Sequence, residues 1–573
     1  MKHKIYILSN IIGIILLLSG CDNYLDRELI TDLTFEEVTK NYSYSRSRVA
    51  AVYSVLAAGF TEIDGAMMAS ASDESEHTLE TSDVQKFNIG SWNAFSNPND
   101  VWASYFTGIR RVNQLLVSLG NIDLDLYKYD PNPEQQAVYK SRLSEIKQWK
   151  YEIRFLRAFF YFELVKRYGG VPILTEALSI EDDYSGIERN SLDECIKFIT
   201  EECDSAAAKL PLTYSTTDLG RATKGAALAL KSRVLLYAAS ELFNNSSWAG
   251  SFAHPELISL TGDRTAKWQA AADAAKAVID LAGTGYSLSS SYSTLFSPTT
   301  FSNSEVIFCR RAGASNSFER ANYPVGYDYG NSGTTPSQNL VDEYEVKVNS
   351  TTAESFNWSN PAHSSNPYAD RDPRLGFSIL VNNTTWKGRP VECWTGGRDG
   401  KPIANSTKTG YYLKKYVNES NNLITGSTSV HTWIFLRLAE IYLNYAEALN
   451  ECQPGHADIK TYIDKVRQRT GVSMPVLPSG LNQGETRERI RHERRIELAF
   501  EDHRFWDLRR WMLAETALSA PLKGVQITKN IDDTFTYNVT DVENRVFNPR
   551  MYLYPIQQNE ILIAKGLVQN PLW

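Results

Sequence analysis

The stretch from Arg487 to Trp511, R-E-R-I-R-H-E-R-R-I-E-L-A-F-E-D-H-R-F-W-D-L-R-R-W, carries charge more densely than a solvated helix needs. Ile490, Leu498, Ala499 and Phe500 give it apolar surface. Arg489 with Glu493, and Arg494 with Glu497, stand at the spacing of ion pairs along one helix. Asp502 offers an N-cap for a second helix, in which Phe505, Leu508 and Met512 recur at i, i+3 and i+7. The segment therefore predicts two helices meeting at a corner, with a surface or half-buried network of ion pairs. H-E-R-R-I places Ile496 where a zinc-binding H-E-x-x-H needs its second histidine, so His492 and His503 predict neither a metal nor a cofactor site.

A chain of 573 residues, 42% of them hydrophobic, can bury a large core around such a corner. Its net charge of -8 lacks the basic footprint that nucleic-acid binding requires. The 31 Tyr and 12 Trp point elsewhere, because these side chains join an apolar face to a polar handle and suit binding surfaces. Cys195 and Cys203 share a helical stripe with Leu192, Ile199, Ala206 and Leu210. About 12 Å of helix would separate them, so they read as core thiols rather than a disulfide.

Taken in order, Lys2 and Lys4 precede an apolar run from Ile5 to Leu18 that has signal-peptide length and is short for a membrane span. Leu18-Ser19-Gly20-Cys21 matches the bacterial lipobox, which predicts a signal peptide over 1–20 and a diacylglyceryl anchor on Cys21. Val49, Val52, Tyr53 and Leu56 keep a helical period that Gly59 ends, and Asn97-Pro98 reads as N-cap and N1 of a helix running through Trp102 to Leu116. Tyr151 to Tyr168 is apolar on most sides, so it predicts a buried helix, stopped by Gly169-Gly170. Ser191 and Glu194 form a capping box, and the Ala-rich Gly220 to Glu241 has a partner in Trp268, Ala271, Ala275, Val278 and Ala282. Residues 283–430 then lose helical periodicity, while their aromatic content argues against disorder. Helix returns with Ile434, Leu438, Ile441, Tyr445 and Ala448.

Several blocks recur in a fixed order. Glu493, Arg494, Glu497, Leu498, Glu501, Arg504, Asp507, Leu508, Arg510 and Trp511 fit E-R-x-x-E-L-x-x-E-x-x-R-x-x-D-L-x-R-W. Others are Trp149 to Pro172, P-S-Q-N-L-V-D-E-Y from Pro336, R-D-P-R-L from Arg371, T-G-Y-Y-L-K-K-Y from Thr409, and the tail from Tyr552 to Trp573, where Leu572 stands at a usual Gly. Together they resemble the SusD/RagB family, surface lipoproteins of Bacteroidetes that bind nutrients beside an outer-membrane transporter. The resemblance implies an all-α dominated fold, in which a tetratricopeptide-like scaffold of four helix pairs carries a long loop-rich binding half. It also implies a SusC-like TonB-dependent transporter as partner. The expected organisation is one domain over 21–573, with scaffold at about 29–282 and 431–515, insertion at about 283–430 and a C-terminal segment over 516–573.

No phosphate-cradling loop and no G-x-S-x-G elbow occurs. Asp370 and Asp372 are glycosidase candidates by residue type only, since Arg371 and Arg374 beside them predict ion pairs, and no enzyme activity is expected. A glycan site instead joins an aromatic platform to forked polar groups. Trp102, Trp149, Trp268, Trp433, Trp506, Trp511 and Trp573 fall on helical stripes or shared blocks, which leaves Trp92, Trp248, Trp358, Trp386 and Trp394. In the family, ligands meet variable loops, notably the one before the Trp102 helix and those of the middle insertion. Asp73, Trp92, Tyr327, Trp386 and Arg389 are accordingly the expected ligand contacts. The reading is a cell-surface lipoprotein that binds oligosaccharide or polysaccharide and delivers it to the transporter. A peptide ligand on the same fold is the alternative, and a surface hydrolase ranks below both.

Overall fold

Ten helices of eight residues or more organise the described part of the chain: α1 Tyr42–Tyr53, α2 Trp102–Ser118, α3 Pro133–Tyr168, α4 Leu192–Ala207, α5 Lys224–Ala239, α6 Arg264–Ile279, α7 Leu438–Cys452, α8 Ala457–Arg467, α9 Gln483–Glu497 and α10 His503–Arg510. The computed structural model describes residues 34–573 except 180, 216, 284 and 299, so the signal segment and Cys21 lie outside the described residues. The fold is mostly helical, about 44%, with small sheets. Each helix packs on its successor from α2 to α8, and α9 returns onto α7. α6 meets α7 although the whole insertion separates them in sequence.

The local reasons are legible. α3 starts earlier than its apolar stretch, because Asn132 caps the Glu134 N–H and Pro133 occupies the first turn, where a missing N–H costs nothing. It ends at Gly169, whose φ of 76° lies in the left-handed region. The Ser191–Glu194 capping box is present on α4, and Cys195 and Cys203 are buried free thiols. Small residues let α5 and α6 approach: Ala226, Ala227 and Ala229 on one, Ala271, Ala272 and Ala275 on the other, are all buried. Two boundaries differ from expectation. α1 stops at Tyr53, before Gly59, and α2 begins at Trp102, because Asn97 turns its side chain onto the Asn99 N–H (3.1 Å) and makes a turn instead of a cap.

The corner is the charged centre of the molecule, and it is buried rather than half-exposed. Arg374, Arg437, Arg494 and Arg510 are among the largest fully enclosed side chains. Their partners are not the expected neighbours on one helix. Glu497 accepts from Arg374 (2.9 Å), Arg437 (2.8 Å) and Arg469 (2.8 Å), and Glu493 from Arg374 (2.6 Å) and Arg467 (2.9 Å). Arg489 reaches Glu345, and Arg494 and Arg510 share Asp507. Burial alone would raise the Glu497 carboxyl, but Arg469, Arg437 and Arg374 outweigh it and bring it down to about 2. Asp502 does not cap α10. It sits at φ 63°, and its side chain makes no cap bond, with Oδ1 buried. In the R-D-P-R-L block Asp372 pairs with Arg374 as expected (2.7 Å), whereas Arg371 donates to the carbonyls of Tyr344 (2.8 Å) and Pro367 (2.7 Å).

The insertion is ordered by short antiparallel ladders. β1 (Ser75–His77) pairs with β3 (Thr334–Pro336), and β2 (Val306–Arg311) pairs with β4 (Thr432–Arg437), which runs straight into α7. Beyond α10, β5 (Leu522–Lys529) and β6 (Phe535–Glu543) form a hairpin, an element the sequence reading did not anticipate. One hydrophobic core runs through scaffold, insertion and C-terminal segment alike.

Candidate functional site

The five expected ligand contacts divide into three places. Asp73 sits beside β1, where Arg504 (2.8 Å) and Arg495 (2.9 Å) grip both carboxylate oxygens. Burial would raise its carboxyl, but those two guanidinium groups hold it well below the usual carboxylate range. Trp92 is wholly enclosed, its ring 4.8 Å from Trp573, 5.0 Å from Tyr554 and 5.0 Å from Phe87. The loop before α2 thus turns its tryptophan inward because an aromatic cluster awaits it. Neither the free carboxylate nor the free stacking face expected of these two residues is present in the structure.

Tyr327, Trp386 and Arg389 do come together, at the tip of a hairpin whose arms are Thr385–Trp386 and Arg389–Pro390. Lys387 and Gly388 both have positive φ, as a tight two-residue turn requires. The Trp386 ring lies 4.9 Å from both Tyr323 and Tyr327, and only 2% of the residue is exposed. Arg389 stacks 3.5 Å above the Tyr327 ring and forks onto Asp399 (2.7 and 2.9 Å). These groups tie the insertion's loops to one another, and most of their hydrogen-bonding capacity is already used.

The base of the same hairpin opens into a different environment. A cleft of about 500 Å³ lies between the turn 365–369, the segment 381–384 and the start of β6. Phe535 and Tyr537 point into it because residues two apart on a strand share a face. The Tyr537 ring stands perpendicular to Tyr368 at 5.6 Å, and Phe535 is backed by Trp394 at 5.3 Å. All four rings are half-buried, so each is fixed while part of it stays open. Amides surround them. Asn382 accepts the Cys393 N–H (3.1 Å), which fixes its orientation beside the Tyr537 hydroxyl, while Asn366 and Asn383 are exposed and their side chains bond to no other group among the described residues. Aromatic faces with free amide forks are what a sugar ring and its hydroxyls require. An open groove of about 300 Å³ between α2 and residues 172–187 is lined by Trp102, Phe106, Leu174 and Leu178 and is more apolar.

Residues 304–573 match the profile described as the SusD family, and residues 24–236 match the one described as starch-binding associating with outer membrane. The chain belongs to the SusD/RagB family. Its helical fold is that of a SusD-like protein of Bacteroides fragilis, with a TM-score of 0.77 and 28% identity over 94% of this chain and 99% of that one. A SusD-like carbohydrate-binding protein of the same organism gives a TM-score of 0.73 at 24% identity, over 93% of this chain and 100% of that one. A SusD-like protein of Formosa agariphila is 24% identical over 73% of this chain and 72% of its own length. SusD family members are binding proteins rather than enzymes. Within the SusD-like fold of this chain, the cleft draws on the C-terminal hairpin, which sequence reasoning passed over. The available signal was T-F-T-Y-N-V at 534–539, two aromatic residues at strand spacing among polar ones.

Proposed function

We propose that this protein captures oligosaccharides at the cell surface in the cleft between Tyr368, Asn383 and Tyr537. A diacylglyceryl group on Cys21 holds it to the outer membrane, and it passes its ligand to a SusC-like TonB-dependent transporter. The observation that carries the reading is the pairing of half-exposed rings with unengaged amides in one cleft. Sugar rings present C–H faces to Tyr and Phe, and their hydroxyls bridge the two atoms of an amide. The helices α2 to α9 serve as four tetratricopeptide-like pairs, in a single domain over 21–573 whose scaffold holds the insertion and hairpin in register. Tyr327, Trp386 and Arg389 position the hairpin that carries Asn383, and Asp73 and Trp92 stabilise the loop beside β1. Isothermal titration of oligosaccharides against the wild type and Tyr537→Ala tests the site. Equal affinity in the two proteins, with unchanged melting temperatures, would remove the cleft from the proposal.

A further inference from the structure

The chemistry of the cleft narrows its ligand. Among the described residues that line it, none is Asp, Glu, Lys, Arg or His. Its polar groups are the amides of Asn366, Asn382 and Asn383, the hydroxyls of Ser365, Thr384 and Thr534, and the phenols of Tyr368 and Tyr537. Burial pushes the Tyr537 phenol up, so these groups remain neutral at any physiological pH. The charges nearest in the chain are mostly acidic. Asp370 follows the turn 365–369 and is exposed. Asp532, close to Thr534, accepts that residue's N–H (3.1 Å) and hydroxyl (2.6 Å). Lys529 is paired with Asp533 at 2.7 Å. The one cation at the back of the turn, Arg371, is buried and donates to the carbonyls of Val341, Tyr344 and Pro367.

From this we infer that the cleft selects neutral oligosaccharides, built of hexose or pentose units without uronate or sulfate groups. The inference rests on the reading of the cleft as the sugar site. A sugar carboxylate or sulfate entering here would shed water without meeting a counter-charge in the lining. Neutral hydroxyls lose little, because amides and phenols can both donate and accept.

The test is affinity electrophoresis and calorimetry of the full chain with two sets of probes. The neutral set is laminari-, malto-, xylo- and manno-oligosaccharides; the anionic set is oligomers of polygalacturonate, alginate and chondroitin sulfate. The wild type, Tyr537→Ala and Phe535→Ala are compared after near-UV circular dichroism has verified their folding. The expected result is binding by at least one neutral probe, by no anionic one, and a roughly tenfold or greater loss in each variant. An anionic probe bound by the wild type and lost in the variants would overturn neutrality while leaving the cleft as the site. Binding of any probe that survives both substitutions would overturn the cleft itself. Failure of every neutral probe would overturn the neutral assignment.

Discussion

The charged centre beneath the corner and the cleft beside the β5–β6 hairpin both concentrate polar groups, yet they treat them oppositely. In the centre, Arg437 donates to Glu305, Glu497 and Glu501, and Glu497 in turn receives three guanidinium groups, so these charges are spent on one another. In the cleft, charge is missing from the lining and the amides of Asn366 and Asn383 face outward with no protein partner among the described residues. The difference teaches that density of polar chemistry does not mark a binding site. The proposed site adds unengaged amides on an open, fixed framework, and the two regions differ in openness and charge more than in polar content.

The largest effect is expected at Arg437. Arg437→Ala takes one shared cation from Glu305, Glu497 and Glu501, which keep only Arg469, Arg374 and Lys415 between them, and stability should fall by about 3–5 kcal/mol. Thermal melts and calorimetry with the cognate sugar, run together, check this; lost affinity at an unchanged melting temperature would make the centre a site after all. Trp92→Ala empties a space among Phe87, Tyr554 and Trp573, for which a loss of about 3–5 kcal/mol is expected, with sugar affinity retained in the folded fraction.

Acid sharpens the contrast. The Glu497 carboxyl is held down at about 2, and so is Glu447: its burial acts upward and Arg510 and Arg494 overcome it. A carboxyl depressed in the folded state stabilises the protein above the unfolded pKa of about 4.3 and loses that contribution as pH falls through the folded value. Stability should therefore drop between about pH 4.5 and 2. Glu74 acts with the opposite sign, because burial and the neighbouring Asp73 raise it to about 8 and its ionisation at rising pH opposes folding. Sugar affinity, by contrast, should stay flat from about pH 5 to 8, since no lining residue titrates there. A pH-dependent dissociation constant with unaltered stability would contradict this.

The smaller effects belong to the cleft. Tyr537→Ala should weaken sugar binding by about tenfold, from a lost ring face worth about 0.5–1.5 kcal/mol and its buried area, and scarcely move the melting temperature. Asn366→Ala should cost only about 0.5–1.5 kcal/mol of affinity, the net worth of one hydrogen bond, as measured by titration. A larger effect on stability than on binding in either variant would place these residues with the charged centre in role.

Helices were legible from the sequence where one residue type sufficed to set them. Gly169, the Ser191–Glu194 box and the alanines of α5 and α6 act through local backbone and packing, and they do what the sequence indicates. The corner was legible as structure but not in its pairing. Glu497 is near Arg494 in sequence and finds Arg374, Arg437 and Arg469 in space, because buried charges take whichever partner also satisfies their remaining lone pairs. Trp92 and Asp73 misled for a related reason: a loop residue's surroundings come from distant elements, here Trp573 and Arg504. Tyr537 was missed because its strand-spaced pattern, Phe535, Tyr537 and Val539, is short and set in a mostly polar, exposed strand.

The burial of the corner's charges also governs the chain before it folds. From Arg487 to Trp511 no run of uncharged residues exceeds the three of Leu498-Ala499-Phe500. In the unfolded polypeptide these ions stand in water and interrupt every window that could add to another chain's strand, as gatekeepers do. In the folded interior their partners, Arg374, Arg437 and Arg469 among them, come from distant segments of the chain. Apolar replacement of the network, often neutral or favourable to a folded protein, would here leave the nascent chain with a long adhesive segment.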